Sequence, residues 1–410
     1  MRRHLDIAVA GAGPGGLATA LYLHRDGHRV RLYERFDSPR PVGSGLMLQP
    51  TGLAVLDDLK LYAKIAALGA PIEGLLGHDA RSGRVVLDVG YASRKGVGRG
   101  LGVHRAALFK VLHDAVLAER IPIETGVTVT GLERDGARTW LIAEGRREGP
   151  FDLVIDTLGS SSPLKRFAKY PGEAEPLTFG ALWATTPWAD GFAPRALMQR
   201  YRKANVMIGV LPIGRQVVDG PPLAAFFWSL RGSEYEAVRQ AGLEPWKAAC
   251  AAHWPETVTH LSAINSFEEM SLARYAHHTL RVPAGEGIAF VGDSAHSTSP
   301  QLGQGANMAL LDARALAVAL RDSDDIAAAL ERYARLRRWH VRVYQFLSRT
   351  LTPFYQSDSV ALPVLRDLGV AYVAKIPPAP QILALMVAGQ LLSPFRPLGL
   401  KLPKGLEAEQ

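Results

Sequence analysis

Cysteine is almost absent from the sequence. Cys250 is the only one in 410 residues, which excludes an internal disulfide framework and any multi-cysteine zinc or iron–sulfur site, and makes a reducing, cytoplasmic setting the expectation. Long apolar runs are missing too. No stretch approaches the roughly 20 apolar residues that a membrane-spanning helix needs, and the longest, residues 382–392, is interrupted by Gly389 and Gln390. The opening MRRHLDIAVAGAGPGG reaches glycine after a few apolar residues; without the apolar core and cleavage site of a secretory leader it reads as a first strand. There is no internal repeat and no low-complexity tract. Neither a known nucleic-acid module nor a basic stripe interleaved with aromatics stands out, so nucleic acid is not an expected partner.

What is present is an ordinary globular composition. With 48% hydrophobic, 21% charged and 8% aromatic residues, a mostly disordered or collagen-like chain is excluded. Single cores stop growing near about 300 residues, so a chain of this length implies two lobes. The net charge of +8 fits an anionic cofactor or substrate, a peripheral membrane contact, or a generally basic solubilising surface.

Hydrophobic periodicity divides the chain. Residues 5–10 read as a strand, 14–26 as a helix through Leu17, Leu21 and His24, and 28–33 as a second strand. Residues 51–69 suggest short helices with Thr51 as N-cap, and 104–120 an amphipathic helix through Leu108, Val111, Leu112 and Ala115. Strands are expected over 121–133, 139–143 and 152–157. From 177 to 270 the pattern shifts to longer strands with proline and glycine turns, at 178–185, 206–211 and 223–230, interrupted by a helical piece at 234–254. Residues 288–291 return to a buried strand, followed by helices over about 303–320 and 326–351. The expected fold class is α/β. The first lobe is assembled from residues 1–75, 100–175 and 275–350, the second, on a mixed sheet, from 76–99 and 176–274, and 351–410 form a C-terminal helical tail.

Gly11-Ala12-Gly13-Pro14-Gly15-Gly16 is a G-x-G-x-x-G that follows a strand and opens a helix, the context of a dinucleotide-binding turn. Gly11 permits the tight turn, Gly13 lets a pyrophosphate approach the backbone, and Gly16 lets the helix pack closely. The helix N-terminus offers free N–H groups to phosphate. Glu34, about 20 residues on, is placed to accept from a ribose hydroxyl. A second motif starts with strand 288–291, ends in Gly292-Asp293, passes through Pro300, and bares the start of another helix with Gly303-Gln304-Gly305-Ala306-Asn307. His296 inside it reads as structural. His24 and His28 lack a third ligand, so no metal site is expected. Arg335, Arg338, Arg342 and Arg349 recur at near-helical spacing and read as a solvated face or as a contact with a membrane or partner, and residues 382–392 as a helix packed on the core or a surface-lying anchor. Trp183, Tyr201, Phe227 and Trp228 read as core or as substrate-pocket wall.

The second motif, together with the first, resembles the class A FAD-dependent monooxygenases, the group of para-hydroxybenzoate hydroxylase and the ubiquinone-biosynthesis hydroxylases. The resemblance runs from Leu5 to about Leu351. It implies a Rossmann-like FAD-binding domain of glutathione-reductase type with a second, substrate domain on a mixed β-sheet. By resemblance, Asp293 binds the ribityl chain of FAD, Pro300 packs beside the isoalloxazine, and the amides of Gly303 to Asn307 face its pyrimidine edge. Glu34 and Arg35 match the adenosine end, Arg105 the residue that reaches the pyrophosphate or ribityl, Val127 the position whose backbone meets adenine, and Gly45 the loop on the flavin's reactive side. The resemblance implies non-covalent FAD, reduction by NAD(P)H, reaction with dioxygen to a flavin hydroperoxide, and transfer of one oxygen atom to an aromatic or heterocyclic small molecule. No residue stands out as a catalytic acid or base.

One stretch departs from the pattern. The family's Gly-Ala-Asp-Gly-x-x-Ser-x-Val-Arg is here Asp156-Thr157-Leu158-Gly159-Ser160-Ser161-Ser162-Pro163-Leu164-Lys165, so Leu158 stands at the aspartate that the family links to FAD and NAD(P)H. Gly159 keeps its place. Asp156 is the nearest carboxylate, two positions earlier. The departure leaves open an FAD oxidase or dehydrogenase, or a protein that only binds FAD or an unstable intermediate.

Overall fold

The structure, a computed structural model, describes residues 4–38, 43–367, 372 and 374–406. The first three residues of the basic start and parts of the C-terminal tail therefore lie outside the described residues. Among those described, no helix is long and apolar enough to cross a membrane.

The central strand Asp6–Ala10 is apolar on both faces and almost wholly buried, as a parallel strand covered on both sides must be. It pairs in parallel with Arg29–Tyr33 on one side and Leu153–Asp156 on the other. Ile123–Glu124, Ile288–Phe290 and Ala284–Gly285 complete a six-stranded sheet, antiparallel only at the last strand. Helix Pro14–Arg25 starts with proline, whose fixed φ suits the first helical position. It buries Leu17, Ala18, Leu21 and Leu23 against Gly305–Arg321, whose Leu310, Leu311, Ala313 and Ala317 are fully buried. The small side chains let the helices close up: a Cβ on Gly15 would stand 3.2 Å from that of Ala309. An antiparallel sheet of Val129–Asp135, Arg138–Ala143 and Arg146–Phe151 covers the opposite face, where Ala8, Ala10 and Val154 meet Val129, Leu132, Leu141 and Phe151.

A seven-stranded sheet forms the second layer, in the order Ser271–Ala273, Phe179–Pro187, Leu223–Arg231, Val206–Gly214, Ala196–Arg202, Gly74–Asp79 and Val85–Gly90. One pairing, Ala196–Arg202 with Gly74–Asp79, is parallel. Alternation separates its two faces. Ala224, Phe226, Ile208 and Val210 pack under Trp246, Cys250 and Trp254, whereas Ala225, Leu211 and Ile213 face Met47, Ile72 and Tyr91. That inner face meets the small antiparallel sheet of Gly45–Leu48, Gly100–His104 and Ala70–Ile72.

Several boundaries differ from the sequence pattern for local reasons. Helix Pro50–Asp58 begins before Thr51, with Gln49 as N-cap, because Pro50 fits its first position. Residues 121–133 do not form one strand: at Gly126, φ +70°, the chain leaves the six-stranded sheet and enters the three-stranded one. The helical piece at 234–254 divides into Tyr235–Ala241 and Leu243–His253 at Gly242, φ +99°. Helix Ile326–Tyr355 runs through Pro353 and past residue 351; proline there forfeits a single hydrogen bond in the last turn.

The junction of the small sheet with the seven-stranded one depends on close backbone approach. A Cβ on Gly102 would lie 2.0 Å from the carbonyl oxygen of Pro212. Gly102→Ala is expected to destabilise the protein by about 1 to 3 kcal/mol through overpacking, read as a lower urea midpoint at unchanged m-value; an unchanged midpoint would refute this account of the junction.

Candidate functional site

Three chain turns meet above the carboxyl ends of the parallel strands. In the first, Gly11 has φ +106°, and a Cβ there would stand 2.7 Å from the carbonyl oxygen of Thr157. Gly16 is tighter, with only 2.0 Å to the Gly11 oxygen. Gly13 differs from both: its Cβ would meet nothing within 4 Å. The loop is closed against protein at Gly11 and Gly16 and open at Gly13, next to a helix end with no side-chain cap. Glu34 leans over it and accepts from the N–H of Ala12 at 2.9 Å and of Phe36 at 3.2 Å. Arg35 is exposed, its guanidinium 4.8 Å from the Phe36 ring centre. Val127 donates its N–H to the Glu34 carbonyl at 2.9 Å, so the adjoining strand end is brought to the same rim.

The second turn begins at Gly292-Asp293 and leads through Pro300 into helix Gly305–Arg321. The Asp293 carboxylate opens toward solvent although protein surrounds it on most sides. Desolvation raises its pKa against the pull of His296, Arg105 and Lys165. A Cβ on Gly305 would lie 3.8 Å from its Oδ1, which sets the carboxylate beside the uncapped start of that helix, where the first N–H groups have no intrahelical acceptor. Gly303 adopts the left-handed conformation, φ +59°, that turns the chain into this helix after Pro300. Gln304 points away, its Nε2 donating to the Val387 carbonyl at 2.7 Å. The side chain of Asn307 is also committed elsewhere: Oδ1 accepts from Gln49 N–H at 2.8 Å and Nδ2 donates to Met47 and Gly303 carbonyls. What Gln304 and Asn307 leave for a ligand is their backbone.

Behind this turn sits a buried ion network. Asp312 accepts from the Gly292 N–H at 2.9 Å, from His296 Nε2 at 2.6 Å and from Arg337 Nε at 2.6 Å. Burial alone would push its carboxyl up, but His296 and Arg337 prevail and hold it at about 2. Arg337 also donates to His340 Nδ1. His340, kept neutral by burial with a pKa of about 3, donates through Nε2 to the Gly389 carbonyl. His296 therefore turns inward.

In the third turn Thr157 bonds the Ala10 and Gly11 carbonyls, and Gly159, φ +86°, has nothing within 4 Å of a would-be Cβ. Leu158 packs half-buried on the cluster that holds Val129, Phe151 and Leu164. Asp156 does not take its place, because its carboxylate is fully buried and accepts from Ser162 Oγ at 2.5 Å and Leu158 N–H at 2.9 Å. Lys165, its amine on the Ser160 carbonyl at 2.6 Å, feels both Asp156 and Asp293. Arg105 reaches in from the start of helix Arg105–Ala118, ringed by protein yet in contact with water; desolvation lowers its pKa, and Tyr275 and Asp293 raise it. Tyr275 accepts from Trp183 Nε1 at 3.0 Å. Gly45 is not open: a Cβ would collide with Ile213 at 2.4 Å and Ala225 at 2.9 Å, so it packs the small antiparallel sheet on the seven-stranded one. Sequence reading passed over Thr157, Lys165, Tyr275, Asp312 and Arg337. Lys165 and Asp312 lie within the motif stretches, but the partners that give them a role are distant in the chain.

The profile of a family described as an FAD binding domain matches residues 4–156 and 170–342. The chain belongs to this family. Its relatives include the 6-methylpretetramide 4-monooxygenase of Streptomyces rimosus, 30% identical, covering 83% of this chain and 84% of that protein. The FAD-dependent urate hydroxylase of Klebsiella pneumoniae is 26% identical, covering 82% and 86%. Among solved structures, Klebsiella pneumoniae HpxO complexed with FAD and uric acid superimposes with a TM-score of 0.77 at 20% identity, covering 96% and 99% of the chains. The tetrameric form of 2-methyl-3-hydroxypyridine-5-carboxylic acid oxygenase gives 0.75 at 19%, covering 94% and 96%; these likenesses show the fold. The chain is thus an FAD-dependent oxidoreductase of monooxygenase type, and the cradle suits that cofactor. The open Gly13 and Gly159, the uncapped helix starts and a carboxylate beside one of them offer amides to phosphate and ring and an acceptor to a polyol.

Asp293→Ala removes that acceptor and is expected to weaken FAD binding by roughly 10- to 150-fold, as for loss of a charge-assisted hydrogen bond of about 1.5 to 3 kcal/mol; equal FAD affinity in a folded variant would sink the assignment. Asp156 yields a pH prediction. Burial raises its pKa to about 6 from 3.8, so the folded state holds the extra proton and the group's contribution to stability falls as pH rises from about 4 to 6, then levels off, by up to about 3 kcal/mol. Asp156→Asn should remove that decline from a series of urea midpoints taken across this range.

Proposed function

We propose that the protein binds FAD non-covalently at the junction of the three turns and inserts one oxygen atom from dioxygen into an aromatic or heterocyclic small molecule, with NAD(P)H as reductant. The observation that carries this reading is the convergence, in one cleft, of the open glycine turn, the Asp293 carboxylate and the uncapped N-terminus of helix Gly305–Arg321. The relatives named 6-methylpretetramide monooxygenase and urate hydroxylase support the substrate class. Bound FAD would supply electron transfer from the nicotinamide and activation of dioxygen.

The chain's own groups bind, orient and exclude water. The amides of the Gly13 turn and the start of helix Pro14–Arg25 would hold the pyrophosphate, with Arg105 facing the same anion. Glu34, already bonded to Ala12, would take the adenosine ribose, and Arg35 and Val127 the rim beside it. Asp293 would accept from the ribityl hydroxyls, and Pro300 would bound the ring. The Gly303 N–H already donates to the Pro300 carbonyl, so within the Gly303 to Asn307 segment the N–H groups from Gln304 onward would favour negative charge on the reduced ring. The inner face of the seven-stranded sheet is itself filled, Leu211, Ile213 and Ala225 packing on Met47 and Tyr91. The FAD-binding lobe in this proposal comprises residues 1–75, 100–175 and 275–350, and the substrate lobe 76–99 and 176–274.

Leu158 favours one rival, an oxidase that releases peroxide instead of hydroxylating. The experiment is anaerobic reduction with NADH or NADPH followed by isotopically labelled dioxygen and a panel of electron-rich aromatic and heterocyclic compounds. We expect the yellow protein to bleach, recover its colour with dioxygen, and place one labelled atom in a product. Quantitative peroxide with every compound would replace this reading with the oxidase, and failure to take up FAD would remove both.

A further inference from the structure

The helix Ile326–Tyr355 has two faces with different tasks. Inward, Arg337 meets Asp312, Gln345 Nε2 donates to the carbonyls of His296 and Ser297, and Ser348 and Thr352 bond Thr298 and Ser299. Outward, positions 332, 335, 339, 342 and 346 follow one another at intervals of three and four and so share one stripe. They are Arg332, Arg335, Trp339, Arg342 and Phe346. Trp339 is 61% exposed and Phe346 66%, about 10 Å apart along the helix. Arg338 and Arg349 flank them, both exposed. From Arg332 to Tyr355 the sequence has six arginines and no acidic residue. Arg332 is paired with Asp322 at 2.8 Å and Arg335 lies 3.6 Å from Glu331, but among the described residues Arg338 and Arg342 have no acidic partner. The Arg342 guanidinium lies 5.4 Å from the Trp339 ring centre.

Beside the stripe runs a groove of about 460 Å³, lined by Leu336, Trp339, Leu392, Pro394 and Pro397 with Arg332 and Arg335 at its rim. Leu392, 58% exposed, brings the end of the apolar stretch 382–392 into it. Two large aromatics and a leucine held in water next to unneutralised guanidinium groups are costly for a merely solvated face.

We propose that this face docks on an anionic phospholipid surface, the arginines on lipid phosphates and Trp339, Phe346 and Leu392 in the headgroup and glycerol region. Charge complementarity selects an anionic partner. The mixture of indole, phenyl and aliphatic groups beside the guanidiniums selects lipid, because an interface accepts all three, whereas nucleobases stack on the aromatics and leave the leucine groove unused. The interaction is independent of the cleft's chemistry.

The test is sedimentation of the purified FAD-loaded protein with phosphatidylcholine vesicles and with vesicles that also contain phosphatidylglycerol. Binding to the second alone, weakening as salt rises, is expected. Arg338→Gln with Arg342→Gln should lower the partition about 25-fold, roughly fivefold per arginine, and Trp339→Ala with Phe346→Ala about tenfold. Because all four side chains are exposed, FAD content and circular dichroism should match the wild type; if either pair fails to fold, salt-insensitive binding by the wild type still overturns the proposal. So would equal binding to both vesicles, no binding, retention of a single-stranded oligonucleotide in place of vesicles, or a dimer that Trp339→Ala with Phe346→Ala converts to monomer.

Discussion

A single buried carboxylate ties the cofactor side of the molecule together. Asp312 lies on helix Gly305–Arg321, yet its two oxygens are shared among the Gly292 amide, the His296 ring and the Arg337 guanidinium. It thereby fixes the loop that carries Asp293 against two helices at once. Removing one member of such a network leaves a buried charge uncompensated, which typically costs about 3 to 5 kcal/mol. The network continues through His340 to the Gly389 carbonyl, and Gln304 reaches Val387. The C-terminal helix Ala379–Val387 is thus part of the frame around the cleft, although it lies far along the chain from either glycine motif.

Backbone proximity is the second constraint. The cleft needs amides exposed where phosphate or ring can reach them, and elsewhere it needs the same loops packed shut. Glycine serves both purposes, and the distances separate them. At Gly11, Gly16 and Gly45 a side chain would strike protein, whereas at Gly13 and Gly159 it would stand in open space. The residues that close the loops are therefore not the ones that leave room for a ligand.

Burial and the partners met there together set the electrostatics. Asp156 and Asp312 are both fully buried carboxylates, but one is raised to about 6 and the other held at about 2. The difference is in their partners: Asp156 has a hydroxyl and an amide, while Asp312 has a guanidinium and an imidazole. Asp293 stands between these cases, open to the cleft with Arg105 and Lys165 near it. A carboxylate so placed keeps free lone pairs for a ligand, which the other two have already used.

The sequence by itself determined the strand-turn-helix start, the Gly-Asp turn and the family they indicate, because these depend on local geometry: glycine where φ is positive or the backbone must approach, proline at a helix start, apolar runs in buried parallel strands. It also held the arginine spacing of the long helix. Tertiary structure decided the rest. Only packing shows that Asp156 is consumed by Ser162, that the side chains of Gln304 and Asn307 turn away and leave their backbone, and that Lys165 and Arg105 come near Asp293 while Tyr275 lies by Arg105. Only packing shows that Arg337 is buried on Asp312 while Arg338 and Arg342 stand outside beside two exposed aromatic rings. Side chains adjacent in the chain point in different directions on a helix, and which direction is solvent depends on the neighbouring elements, not on the residues themselves.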